Sequence, residues 1–305
     1  MPQVPLTGYS VPYLPQPGFD PLISPDAAGW WRRSIAIVRA GWTQLAAIQA
    51  IGAAVQVVVQ VPLMLYVASR RDQLIPTVQS DGATAGSPDV TGLFAFLGLS
   101  LIVAFAAIVI GAVVTIATIQ VGVAIAAGGQ PRLGPALLAA LRRAFPLLGW
   151  QMLAGLVMAA GLCACVLPIF YLLAVFTILP AVVTFERTNA ISRCFRLFHG
   201  SLGPAVGRIA AILGIGIGAA VVSSILSGIV GAAAGASAGL APTAASNGAS
   251  VAATVVSVLI SAVIARGTGV LTGPLTLTAY ADLRARIEPL TTQTLLAELG
   301  TPTTT

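Results

Sequence analysis

This 305-residue chain is 57% hydrophobic and only 8% charged, where a soluble domain has about 25% charged residues, so it lacks the polar surface to cover a globule in water. A mean hydropathy of +0.96 makes lipid its principal solvent. The net charge of +6 rests on 15 basic residues, all of them arginine; without lysine there can be no Walker A phosphate loop, pyridoxal Schiff base or lysine general base. The arginines stand in small clusters between apolar runs, the pattern by which membrane proteins record orientation and not the dense basic patch of a nucleic-acid binder.

Residues 1–27 hold Pro2, Pro5, Pro12, Pro15, Pro17, Pro21 and Pro25, too many for a helix. They are expected as a disordered, Pro-rich cytoplasmic arm, without the basic start and apolar run of a signal peptide. Trp30, Trp31, Arg32, Arg33 and Arg39 then suggest a short interfacial helix with aromatics at headgroup level. The first span runs from about Thr43 to Ala68 and ends at Arg70 and Arg71. After a polar loop over 73–91, a second apolar run from Gly92 to Ala127 exceeds the ~20 residues one span needs.

Leu138, Leu141, Phe145 and Leu148 recur at helical spacing beside Arg142 and Arg143, a second interfacial segment. Spans at 147–167 and 169–185 follow, joined by a tight turn near Pro168. A third leader, with Ile191, Phe195 and Phe198 opposite Arg193 and Arg196, precedes spans at 202–232 and 251–277. A small, polar linker from Gly235 to Gly248 separates that last pair.

The expected fold is therefore all-α: six transmembrane helices in three pairs, each pair led by a short cytoplasmic interfacial helix. The transmembrane domain covers 28–286, and 287–305 form a flexible Thr-rich tail. Eleven arginines (32, 33, 39, 132, 142, 143, 187, 193, 196, 284 and 286) fall on one side, and only Arg70 and Arg71 on the other. By the positive-inside rule the first side and both termini are cytoplasmic, placing the chain in a bacterial inner membrane.

The catalytic motifs have ordinary readings. Gly235-Ala236-Ser237-Ala238-Gly239 matches G-x-S-x-G without the strand-to-helix turn that gives it meaning. The sole histidine, His199, would lie ~30 Å away across the hydrocarbon. Gly214-Ile215-Gly216-Ile217-Gly218 lies inside a span, where Gly214 and Gly218, like Gly231 and Gly235, suit close helix approach. Cys163 and Cys165 point ~200° apart on a helix, and Cys194 and His199 have no third group to orient them. No metal, cofactor or catalytic residue is expected.

Charges at membrane depth are rare and commonly functional. Arg208 lies about two turns into the fifth span, Arg266 well inside the sixth, and Glu186 and Asp282 at cytoplasmic ends. Counted from Val251, Arg266 is ~22 Å along the helix axis, ~8 Å short of the inner interface of a ~30 Å core. The expectation is an anion or lipid-headgroup site in which Arg266 turns inward toward Glu186, Asp282 or a lipid phosphate, with Arg208 beside it.

Two segments carry a family likeness. Pro180 through Gly200, with Glu186-Arg187, Ala190-Ile191, Arg193 and Leu197, and Tyr280-Ala281-Asp282-Leu283-Arg284-Ala285-Arg286-Ile287-Glu288 resemble the bacterial glycerophosphodiester phosphodiesterase membrane-domain family. Cys194 after Arg193, the missing tryptophan near Leu202, and Pro289 depart from its pattern. The resemblance implies a membrane part without the catalytic barrel fused to it in some members, so it carries no enzyme assignment. The first functional expectation is a non-enzymatic scaffold for a membrane partner, or a binder of anionic lipid headgroups. The alternative is a small transporter or lipid-translocation subunit, which a polar cavity beside Arg266 would favour over a dry bundle.

Overall fold

A computed structural model describes residues 20–69, 90–164, 167–238 and 243–300. Residues 73–89 of the expected 73–91 loop, Arg70, Arg71, Cys165 and most of the proline-rich arm lie outside them. The described elements are α1 (Ala27–Ser69), α2 (Val90–Ala126), α3 (Leu133–Ala164), α4 (Leu167–Phe176), α5 (Leu179–Phe185), α6 (Ala190–His199), α7 (Leu202–Ala238), α8 (Thr243–Ala285) and α9 (Thr292–Gly300). Six stretches are long and apolar enough to span a bilayer: 27–63, 97–126, 133–162, 168–185, 202–235 and 251–285. The chain is an all-α, multi-pass membrane bundle.

The leaders differ from expectation. Only the third is a separate helix, α6. The Asn189 side chain accepts from the Ser192 amide at 3.2 Å to start it, and Gly200 closes it. The first two leaders run straight into their spans. In α1 the joint is a kink at Gly41 (φ −123°, ψ 25°), where the Ile125 side chain fills the space a Cβ would need. In α3 the helix continues through Pro146. A kink relieves the axis without breaking the helix, so an amphipathic leader and an apolar span need no loop between them.

Both ends of the domain extend further than 28–286. Instead of a flexible tail, residues 292–300 form α9, which buries Leu295 and packs Leu296 and Leu299 on the core. Asp20 holds its start, accepting from the Thr292 amide at 2.6 Å and the Thr292 hydroxyl at 2.5 Å. Leu22 and Ser24 of the expected arm are likewise buried. Both ends of the expected 235–248 linker are helical, since α7 runs to Ala238 and α8 begins at Thr243 and its alanine-rich flanks continue the helices. Pro168 sits in the first turn of α4, just past the turn it was expected to make.

In space α8 packs between α7 and α1, α1 on α2, and α2 on α3. The short α5 is sunk in the middle, with Leu179, Ala181, Val182, Val183, Thr184 and Phe185 all buried. Burial is densest toward the arginine-rich end. Toward the other, α7 exposes Ile217, Val221, Ile225 and Ile229, and α8 exposes Val256, Leu259 and Val263, apolar surface suited to lipid contact. Gly214, Gly218, Gly231 and Gly235 have nothing within 4 Å of a Cβ position. They do not mediate close packing within the chain, contrary to their spacing. The close approaches occur instead at Gly52, Gly269 and Gly273.

Candidate functional site

Two charged networks occupy opposite faces of the last turns of α8. Tyr280 and Arg284 share one face and Asp282 and Arg286 the other, as an i, i+4 repeat dictates. On the first face, Arg193 of α6 pairs with Glu186 and with Glu288, each at 2.5 Å. The Tyr280 hydroxyl donates to Glu186 at 2.7 Å and accepts from Arg284 at 3.1 Å. Arg284 forks onto Glu298 at 2.8 and 2.9 Å and reaches Glu288 at 3.2 Å. Phe185 stacks on the Tyr280 ring, centroids 5.4 Å apart. Both segments of the family likeness meet here, tying α5, α6, α8 and α9 together.

Burial works against the charge on Glu288, but hydrogen bonds from Arg193 and Arg284 outweigh it and hold the carboxyl below its ordinary 4.5. A group depressed on folding contributes stability above its unfolded value and loses it as pH falls through the folded one. Acidification below pH 4.5 should therefore lower the melting temperature in detergent, and Glu288→Gln should flatten that part of the dependence. Equal acid slopes in the two proteins would contradict the assignment. Cys194, fully buried nearby, has its thiol pushed up to about 12 by burial and by the Glu186 charge, so it is a thiol and not a nucleophile.

On the second face, Arg208 of α7 and Asp282 form an ion pair, each only 2% exposed. Asp282 also accepts from Arg286 at 3.1 Å and from the Ser24 amide at 3.2 Å. Arg208 donates onward to the carbonyls of Ser24 at 3.2 Å and Asp26 at 3.4 Å. Arg208 and Asp282, both expected in an anion site, thus neutralise each other.

Arg266 joins neither network, which corrects the expected cluster. Helix α8 continues to Ala285, so Asp282 lies 282 − 266 = 16 residues on, ~24 Å along the axis, beyond any side chain's reach. Glu186, tied to Tyr280 and Arg284, is at that same distant level. Arg266 turns inward instead to α1, where it donates to the Gln56 carboxamide oxygen. Among the described residues no carboxylate pairs with it. With the charged networks marking one boundary of a ~30 Å core, Arg266 lies ~24 Å from it along the helix axis, inside the apolar span of α8 and toward the opposite leaflet.

Beside it is a cavity of about 450 Å³. Helix α8 contributes Arg266, Gly269, Thr272, Gly273 and Thr276, and α2 contributes Ile108, Gly111, Thr115 and Thr118, each set largely on one helix face. Gln49, Gln151 and Thr177 complete the polar lining, with Pro180 beside them. Thr177 belongs to the break between α4 and α5, so non-helical backbone at membrane depth meets a cavity there, where it is tolerated. Gln49 donates to the Thr118 hydroxyl at 3.1 Å, and that hydroxyl bonds back to the Val114 carbonyl at 2.7 Å. The Arg266 Nε and the Gln151 carboxamide oxygen are buried without partners.

Sequence reasoning found Arg266 but missed the glutamines and threonines around it. Their signal was present: Gln49 and Gln56, and Thr115 and Thr118, stand at helical intervals inside apolar runs that carry no charged residue. Other candidates have local explanations. His199 bonds the Tyr171 hydroxyl at 3.0 Å and the Phe195 carbonyl at 2.8 Å, and Gly235–Ala238 are plain helix. Among the described residues, no three His, Cys, Asp or Glu side chains converge as metal ligands. No family model, curated protein or solved structure matches the chain.

Proposed function

We propose that this is a non-enzymatic, multi-pass protein of a bacterial cytoplasmic membrane, both termini cytoplasmic, that takes an anionic molecule into the cavity at Arg266 for transfer through or within the bilayer. The observation that carries this reading is a cation lining a polar cavity within an apolar span, with no carboxylate beside it among the described residues. A charge inside a span costs up to about 2.5–3.5 kcal/mol on insertion scales, the upper figure applying at the helix centre, and a bound oxyanion would offset the cost. A scaffold alone has no use for it. The two carboxylate networks support the same reading, since they neutralise Arg193, Arg208, Arg284 and Arg286 and leave Arg266 out. The lineage suggested by Pro180–Gly200 and Tyr280–Glu288 is compatible with this role and is proposed with it.

The test is native mass spectrometry of the full chain in detergent with acetate, dimethyl phosphate and phosphatidylglycerol. At least one oxyanion should be retained, and Arg266→Gln should release it while Arg142→Gln, an exposed control, does not. Retention that is identical in wild type and Arg266→Gln would overturn the reading. Orientation is tested separately by reporter fusions at Ser80, Asn247 and the C-terminus, with periplasmic activity expected only at the first two. A periplasm-active reporter at the C-terminus would reverse the topology.

A further inference from the structure

We infer that the ligand of this cavity is a singly charged oxyanion that carries a hydrogen-bond donor next to its charge and an acyl chain, entering sideways from the bilayer. The inference rests on the proposed function and narrows it through charge, hydrogen bonding and access.

Arg266 is the one charged side chain in the lining among the described residues. One negative charge brings the site to neutrality, whereas a second would remain uncompensated in the hydrocarbon. Arg266 and Gln151 both leave hydrogen-bonding capacity unused, one a donor and the other an acceptor. Filling both takes an oxyanion for the guanidinium and a hydroxyl-like donor for the carboxamide. Both atoms are buried, so engagement turns the two side chains into the cavity. The hydroxyls of Thr118, Thr177 and Thr272 already bond helix carbonyls, whereas the arginine and the amide have unmet capacity.

Access follows from which helices touch. Helix α3 packs on α2 and on the short helices α4 and α5, without extended contact with α8. Gln151 of α3 and Arg266 of α8 therefore face each other across a cleft backed by α2. Ile108, which lines the cavity, is 52% exposed. An apolar, accessible rim on a polar cleft suits a molecule with a charged head and an apolar tail. A wholly soluble anion would gain nothing from it.

The experiment is native mass spectrometry of the full chain with four lipids and one soluble headgroup. Phosphatidylglycerol should be retained about tenfold over phosphatidylcholine, and clearly over phosphatidylmethanol, which has the same charge without the hydroxyls. Phosphatidic acid at pH 9, doubly charged, should bind more weakly, and glycerophosphoglycerol, the deacylated headgroup, should not be retained. Gln151→Leu should erase the preference for phosphatidylglycerol over phosphatidylmethanol while keeping that over phosphatidylcholine. Arg266→Gln should erase both. Retention of glycerophosphoglycerol as strong as the lipid, a preference for phosphatidic acid, or a Gln151→Leu protein that still discriminates would each overturn the inference and leave anion binding standing. Loss of every Arg266-dependent preference would remove the proposed function as well.

Discussion

Replacing Asp282 by alanine should lower the unfolding stability of the purified chain by about 3–5 kcal/mol, the cost typical of breaking a buried ion pair from one side. Asp282 and Arg208 are each 2% exposed, so the stranded guanidinium has no route to water. The carboxylate also organises Arg286 and the Ser24 amide, so its loss frees the N-terminal segment. The double variant Arg208→Leu/Asp282→Leu removes both charges and should recover a large part of that stability, because hydrophobic replacement of a buried pair is often close to neutral. Thermal melts in one detergent would measure all three proteins. A single variant that melts like wild type would mean that water reaches the pair.

Gly273→Leu should cost about 1–3 kcal/mol through overpacking, while Gly214→Leu should stay within about 0.5 kcal/mol, as for surface positions without special roles. A Cβ at Gly273 would overlap the Thr118 side chain. Thr118 cannot easily turn aside, being β-branched and bonded to Gln49 and to the Val114 carbonyl. At Gly269 the Cβ would meet the Gln49 amide at 2.7 Å, but that is the end of a longer and more pliable side chain, so a milder effect is expected. Gly214 has open space. The same thermal melts separate the three, and a Gly214→Leu protein damaged as badly as Gly273→Leu would place an unseen neighbour against α7.

The helices were legible because apolar runs of bilayer length have few alternatives in lipid, and the six spans lie close to where hydropathy puts them. What the residues left open was depth and partnership. Arg266 and Asp282 stand 16 residues apart on one helix, which excludes contact between them only once α8 is known to continue past Leu277. Gly214 and Gly273 look equivalent in sequence; which one meets a neighbour depends on how α8 is rotated, and composition does not encode that. The tail looked mobile from its threonines, yet Leu295, Leu296 and Leu299 gave it a face to bury. The charged networks join residues nearly a hundred positions apart, such as Glu186 with Tyr280, and no local pattern announces such pairs.

The position of those partners in the chain has a consequence for biogenesis. Arg193, Glu186 and Arg208 enter the membrane during synthesis well before Tyr280, Asp282, Arg284 and Glu288 exist. Asp20 waits longest, since its carboxylate accepts from Thr292, 272 residues downstream. Glu186 and Arg193 can pair with each other early, but until the ribosome delivers the end of α8 the nascent bundle holds Arg208 without its carboxylate, a state open to insertase or chaperone contacts and to membrane proteolysis. The last span is then the keystone of assembly. A chain truncated before Asp282 would insert its helices, fail to lock them, and be cleared.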